Sequence, residues 1–238
     1  FAPRLSFFFA IGMNFFMEIA KLRAARLLWA TLMAEKFSPK DSRSLMLRKH
    51  CQTSGVSLTA RSPHTNIIRT TVEAMAAALG GTQSLHTNAR DEALALPTPE
   101  TARLALRTQQ IIAHESGVTD TPDPLAGSYY IESLTDAVEA AAWAYLEEID
   151  EMGGAIAGID DGYQQRQIQD AAYRVQREIE ATDRIVVGVN RFTDDEAVTP
   201  PLQRIDPTLE REQVARLQAG DEELSLKITQ LREQLDRL

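Results

Sequence analysis

Arg4 to Ala10 reads RLSFFFA, a nearly unbroken apolar run that Gly12 ends, and Met13 to about Lys36 follows with apolar residues at mixed three- and four-residue spacing. The run has the pattern of a strand buried on both faces, and the longer stretch that of a helix. The alternation recurs twice. Ser44 to Cys51 (SLMLRKHC) and Thr82 to His86 (TQSLH) are further short strand candidates, and helices are expected over Pro63–Leu79 and Pro99–Ser116. Short strands separated by long helices predict an α/β fold, a parallel sheet with crossover helices.

Local signals set the boundaries. Gly80-Gly81 ends the second helix with residues able to turn left-handed. Thr98 is a good N-cap, Pro99 suits the first helical position, and Gly117 stops the third helix. After the loop Thr119–Ser128, helices are expected over Tyr129–Met152 and Gly162–Ala181, and a strand over Arg184–Val189 (RIVVGV). Asp194 to Pro207 is an acidic linker. Thr208 to Leu238 is a charged helical tail with Leu217, Leu224, Ile228, Leu231, Leu235 and Leu238 spaced three to seven apart. The domain reading is therefore 1–192 for the α/β part and 193–238 for linker and tail.

Composition narrows the function classes. The 238 residues are 44% hydrophobic and 25% charged, which suits a globular chain and excludes low-complexity disorder. A net charge of -9 argues against a nucleic-acid partner, though it permits a local basic pocket. Cys51 stands alone, so neither an intrachain disulfide nor a Cys-based metal site is expected, and the compartment is read as reducing and cytoplasmic. Leu5 to Met17 mimics a signal-peptide core, but Glu18, Lys21, Arg23 and Arg26 follow without a small-x-small cleavage site. The stretch is also too short to span a bilayer, so no membrane partner is expected. A chain beginning at Phe1, inside an apolar stretch, reads as a piece of something longer.

In a barrel of parallel strands, polar residues just after each strand gather at one rim. Three strand ends here are unusually polar: Arg4 and Ser6, His50 to Gly55, and Gln83 to Glu92. The turn Gln52-Thr53-Ser54-Gly55 offers an amide, two hydroxyls and a glycine, enough to bring backbone close to a large ligand. Pattern alone favours a locally capped turn there. Gln83, Ser84 and His86 are costly in a core unless they face a ligand or a polar network. Asp91 and Glu92 can equally cap the next helix. The four histidines lack HExxH spacing, and neither a GxSxG elbow nor a P-loop occurs, so no metal is assigned. Residue chemistry alone reaches a ligand-binding α/β enzyme piece.

The same segments carry a resemblance. FAPRLSFFFAIGMNFFMEIAKLRAARLLW, QTSGVSLTA, NIIRTTVEAMAAALGGTQSLHTNARDEALALPT, HESGVTDTPDPLAGSYYIESLT and RIVVGVN together cover most of residues 1–192. They resemble the large, substrate-binding subunit of the methylmalonyl-CoA mutase family, the adenosylcobalamin-dependent acyl-CoA mutases. The resemblance implies the second half of a (β/α)8 TIM-type barrel with a helical C-terminal extension. It also implies a radical isomerase, most expectedly converting methylmalonyl-CoA to succinyl-CoA, in which the cofactor carries the hard chemistry.

By the same resemblance, Arg4 and Ser6 match CoA contacts, Arg43 aligns with a basic residue near the CoA phosphates, and Gln83 and Ser84 match further CoA contacts. Gln52, Gly55 and Val56 match a turn against the corrin or the acyl group. Val56 stands where some members carry Trp. Glu92 matches a carboxylate that accepts from the adenosyl ribose. Small hydrophilic residues such as Ser6, Ser44, Gln83 and Ser84 suit a CoA chain threaded along the barrel axis.

The family's catalytic His, substrate Tyr and carboxylate-holding Arg are expected upstream of Phe1. Its Asp-x-His-x-x-Gly motif does not occur in the 238 residues. The lower cobalt ligand is thus expected from a separate small cobalamin-binding subunit or domain, within a dimer or heterotetramer, and this piece is expected to be inactive alone. The alternative, from a different class, is a noncatalytic CoA-binding or assembly subunit.

Overall fold

The computed structural model of the protein describes residues 1–193 and 200–235. Three parallel strands form one sheet in the order β1 (Phe7–Ile11), β2 (Lys49–Thr53), β3 (Ser84–His86). Phe8 is in register with His50 and that with Ser84, while Ala10 aligns with Gln52 and that with His86. Helix α1 (Phe15–Phe37) connects the first two strands and α2 (Asn66–Leu79) the next two, with α3 (Pro99–Glu115) following β3. Parallel pairing requires such crossovers, and the expected strand–helix alternation is what the chain adopts.

Three expectations need correction. The Arg4–Ala10 run is strand only from Phe7, because Ala2–Arg4 forms a 3-10 turn around Pro3. Arg4 therefore lies in a turn before the strand. Ser44 to Leu45 is likewise a 3-10 turn, Ser42–Leu45, started by the Asp41 carboxylate accepting from the Arg43 N–H, and β2 begins only at Lys49. Arg184–Val189 is not a strand. Gly188 is left-handed at φ 76°, a single bridge joins Val187 to Arg191, and Asn190 holds the turn by donating to the carbonyls of Ile179 and Arg184.

The sheet is also not buried on both faces within this chain. Ile11, Cys51 and Thr53 are fully buried beneath the helices, whereas Phe8 on the opposite face is 63% exposed. The core joins Ile11, Ile19, Leu22, Cys51, Ala76, Ala77 and Ile131. Each large aliphatic chain there contributes roughly 1.5–3 kcal/mol by leaving water, and the two alanines let α2 approach closely. Gly80 is required by that approach: a Cβ would stand 2.5 Å from Leu22 Cδ1.

Helix α4 (Tyr129–Glu151) packs on α1, where Arg23 pairs with Asp123 and with Glu132 at 2.7 Å, and Phe16 meets Tyr130 edge-on. Then follow α5 (Ala155–Asp160), which the sequence reading missed, and α6 (Tyr163–Glu180). The chain divides into two compact units, Phe1–Leu202 and Gln203–Leu238, and the second is α7 (Pro207–Leu235) with its lead-in. Part of the acidic linker, 194–199, and the end of the tail, 236–238, lie outside the described residues. No described helix is long and apolar enough to cross a membrane.

Candidate functional site

Because the strands are parallel, residues that precede them collect at one end of the sheet and residues that follow collect at the other. Arg4 and Ser6 precede β1, Arg43 lies in the turn before β2, and Gln83 precedes β3, which Ser84 opens. The turn carrying Arg4 packs against the turn carrying Arg43. Gln83 accepts from the Lys49 backbone N–H at 2.9 Å, fixing the start of β2. Ser84 Oγ lies 2.7 Å from His50 Nδ1 on the uncovered face of the sheet. Arg4, Ser6, Arg43, Gln83 and Ser84 are all exposed.

Arg43 is not free. Its Nη2 meets Asp41 at 2.7 Å, and the guanidinium holds the Asp41 carboxyl below its ordinary value. A phosphate reaching Arg43 has to displace or share that carboxylate.

At the other end, Gln52 donates from Nε2 to Asn88 Oδ1 at 3.1 Å, and the Asn88 backbone N–H donates to Thr53 Oγ1 at 2.8 Å. Gly55 lies against both Asn88 and Glu92; a Cβ there would stand 3.2 Å from Asn88 Nδ2 and 3.7 Å from Glu92 Cγ. Asn88 is buried, and its Nδ2 has no partner among the described residues. Val56 is 97% exposed. Gln52, Gly55 and Glu92 are therefore brought together, with Val56 beside them on the turn Gly55–Ser57.

The neighbouring acid has a different task. Asp91 is fully buried and accepts from Thr101 Oγ1 at 2.8 Å and from the Thr98 N–H at 3.3 Å, securing the start of α3. Glu92, by contrast, is exposed.

Sequence reading missed Asn88, Ser57 and Glu73. Glu73 of α2 is fully buried behind the turn and in contact with the Ser57 hydroxyl, and burial pushes its carboxyl up to about 7. A Glu inside the apolar helix TTVEAMAAAL was the available signal. Asn88 comes two residues after His86, the register partner of Gln52, so its place just past the same strand ends was the available signal. Beneath the sheet, burial lowers Lys49 to about 8 and raises the Cys51 thiol, which speaks against Cys51 as a nucleophile. Among the described residues, no three of His, Cys, Asp and Glu converge to hold a metal ion.

Comparison with known proteins adds a second line of observation. A family model described as methylmalonyl-CoA mutase matches residues 1–238. A protein named methylmalonyl-CoA mutase from Rhizobium meliloti (strain 1021) is 53% identical over 219 residues, covering 92% of this chain and 31% of that protein. One of the same name from Cereibacter sphaeroides is 55% identical over 219 residues, with the same coverage of 92% and 31%. The human protein named methylmalonyl-CoA mutase, mitochondrial, is 52% identical over 208 residues, 87% of this chain and 28% of its own length. The chain thus spans under a third of the length of these relatives.

Proposed function

The chain belongs to the methylmalonyl-CoA mutase family, and on that premise we propose that it forms the second half of a (β/α)8 barrel in an adenosylcobalamin-dependent acyl-CoA mutase. The reaction proposed is the carbon-skeleton rearrangement of methylmalonyl-CoA to succinyl-CoA. Residues 1–192 are taken as barrel and following helices, and 193–238 as linker and tail. The cobalamin-binding part is a separate domain or subunit, in a dimer or heterotetramer, and the location is the cytoplasm.

One observation carries the reading. The three parallel strands have Arg4, Ser6, Arg43, Gln83 and Ser84 toward one end, and Gln52, Gly55, Val56 and Glu92 at the other. The first set suits an acyl-CoA entering along the strand axes, and the second suits a nucleoside-bearing cofactor over the rim. The uncovered sheet face also fits: apart from Phe8 it carries Ser6, Ala10, His50, Gln52, Ser84 and His86, where an ordinary barrel is filled with branched apolar chains.

The residues at the rim suit the cofactor. Asn88 Nδ2 is a buried donor without a partner among the described residues, Glu92 is an exposed acceptor of the kind ribose hydroxyls need, and Gly55 leaves backbone open to close approach. Adenosylcobalamin, when bound, supplies the radical chemistry. This chain's part is to hold the adenosyl ribose at Glu92, to line the cavity with the turn Gly55–Ser57, and to bind CoA.

The test is the full-length protein with adenosylcobalamin and methylmalonyl-CoA, followed by chromatography for succinyl-CoA. Glu92→Ala should lower turnover by roughly ten- to a hundredfold, the cost of one hydrogen bond to a charged group, and leave CoA-ester binding intact. Equal loss of both returns Glu92 to a structural role. Acyl-CoA binding without any turnover favours the noncatalytic subunit.

A further inference from the structure

The Ser57 hydroxyl stands between two oxygens, Oε1 of Glu73 and the Ser54 carbonyl at 2.7 Å. A hydroxyl carries one hydrogen. If that hydrogen goes to Glu73, nothing bridges Ser57 Oγ to the Ser54 carbonyl. If it goes to the carbonyl, the contact with Glu73 needs a hydrogen from the carboxyl. Both contacts hold together only when Glu73 is a neutral carboxylic acid that donates to Ser57, which in turn donates to Ser54.

The surroundings agree. Glu73 is fully buried, and its Oε2 has no partner among the described residues. The charged groups facing it are Glu18 from α1 and Arg69 from α2 itself, while the turn opposite offers only Ser54 and Ser57. Glu18 is paired with Lys21. Arg69 donates to Thr59, Thr65, Asn66 and the Val187 carbonyl. Among the described residues, no cation is therefore committed to a Glu73 carboxylate. Burial raises the carboxyl to about 7, with Glu18 adding to the rise and Ser57, the Ser54 N–H and Arg69 opposing it.

We infer that Glu73 is a positioning residue whose protonated carboxyl latches α2 to the turn Gly55–Ser57, and that loss of its proton loosens the turn presenting Gly55 and Val56 to the cofactor. The consequence for cofactor binding rests on the proposed reading of that turn. The hydrogen count at Ser57 does not.

The experiment compares full-length wild type, Glu73→Gln and Glu73→Ala. Adenosylcobalamin affinity is measured by absorbance titration between about pH 6 and pH 8.5, and CoA-ester affinity by calorimetry. The wild-type cofactor dissociation constant should rise about three- to tenfold over that range, as one neutral hydrogen bond is lost. Glu73→Gln, whose amide N–H supplies the hydrogen at every pH, should stay flat. Glu73→Ala should be weak throughout, and CoA-ester affinity should not move in any of them.

A Glu73→Gln variant that follows the wild-type pH profile, or that is as weak as Glu73→Ala at every pH, overturns the latch. Urea unfolding reads the proton without the cofactor. Wild-type stability should fall from about pH 4.5 to pH 7, because the native state holds a proton there that the unfolded chain releases, and Glu73→Gln should lack that fall. Identical unfolding profiles overturn the inference. If the urea arm separates the two proteins while neither takes adenosylcobalamin at any pH, the proton assignment stands and the cofactor reading fails.

Discussion

Gln52 and Asn88 are joined side chain to side chain at 3.1 Å, which ties the end of β2 to the loop after β3. The bond holds Asn88 with its Nδ2 toward Gly55, so the geometry of the rim depends on two residues 36 positions apart in the chain.

A double-mutant cycle on the full-length protein should detect that bond. Gln52→Ala and Asn88→Ala together should cost less than the sum of the two alone, with a coupling of about 0.5–1.5 kcal/mol by urea unfolding. Additive losses would mean that the two side chains do not act as a pair.

Arg4 and Arg43 differ in availability. Arg43 is already paired with Asp41, whereas Arg4 lies exposed in the turn before β1. On the proposed reading, Arg4→Ala should weaken acyl-CoA binding by about ten- to a hundredfold, and Arg4→Lys should recover only part, since an ammonium lacks the planar fork. Asp41→Asn keeps the acceptor for the Arg43 N–H but removes the competing charge, and should tighten acyl-CoA binding at low salt. Calorimetric titration checks all three. An unchanged constant for Arg4→Ala would make it an ordinary solvated charge.

Lys49 makes a prediction about pH. It is 2% exposed and donates to the Leu22 carbonyl at 3.3 Å, and burial lowers it from 10.5 to about 8. Between those values the unfolded chain binds the extra proton, so stability should rise with pH from about 8 to 10.5, by at most roughly 3 kcal/mol. The contribution is lost as pH falls through 8. Lys49→Met should flatten that rise and match or exceed wild-type stability at pH 7. A destabilised Lys49→Met at pH 7 would show that its contacts with the Leu22 and Gly80 carbonyls outweigh the burial of charge.

The alternation of strands and helices and most helix boundaries were legible, because they depend on local pattern. Thr98, Pro99 and Gly117 bound α3 through their own backbone and side-chain chemistry, and Thr98 does accept from the Thr101 N–H. The same kind of evidence misled at RIVVGV: a β-branched run reads as strand, yet the left-handed Gly188 and the side chain of Asn190 make it a turn. At SLMLRKHC, the Asp41 cap lies outside the apolar run that suggested a strand.

What the sequence by itself determined is the alternation of elements, the family through its long matching strings, and the residue types at the strand ends. Spacing along the chain is enough for these, since hydrogen-bonding period and turn chemistry act within a few residues. Only the tertiary structure decided which polar residues share a site. Asp91 and Glu92 are adjacent and chemically alike, yet one is buried under Thr101 and the other lies beside Gly55. Glu73 gained its role the same way: folding takes its carboxyl out of water and sets it against Ser57, 16 positions earlier. Burial and proximity across the chain set its proton, and neither is written in local sequence.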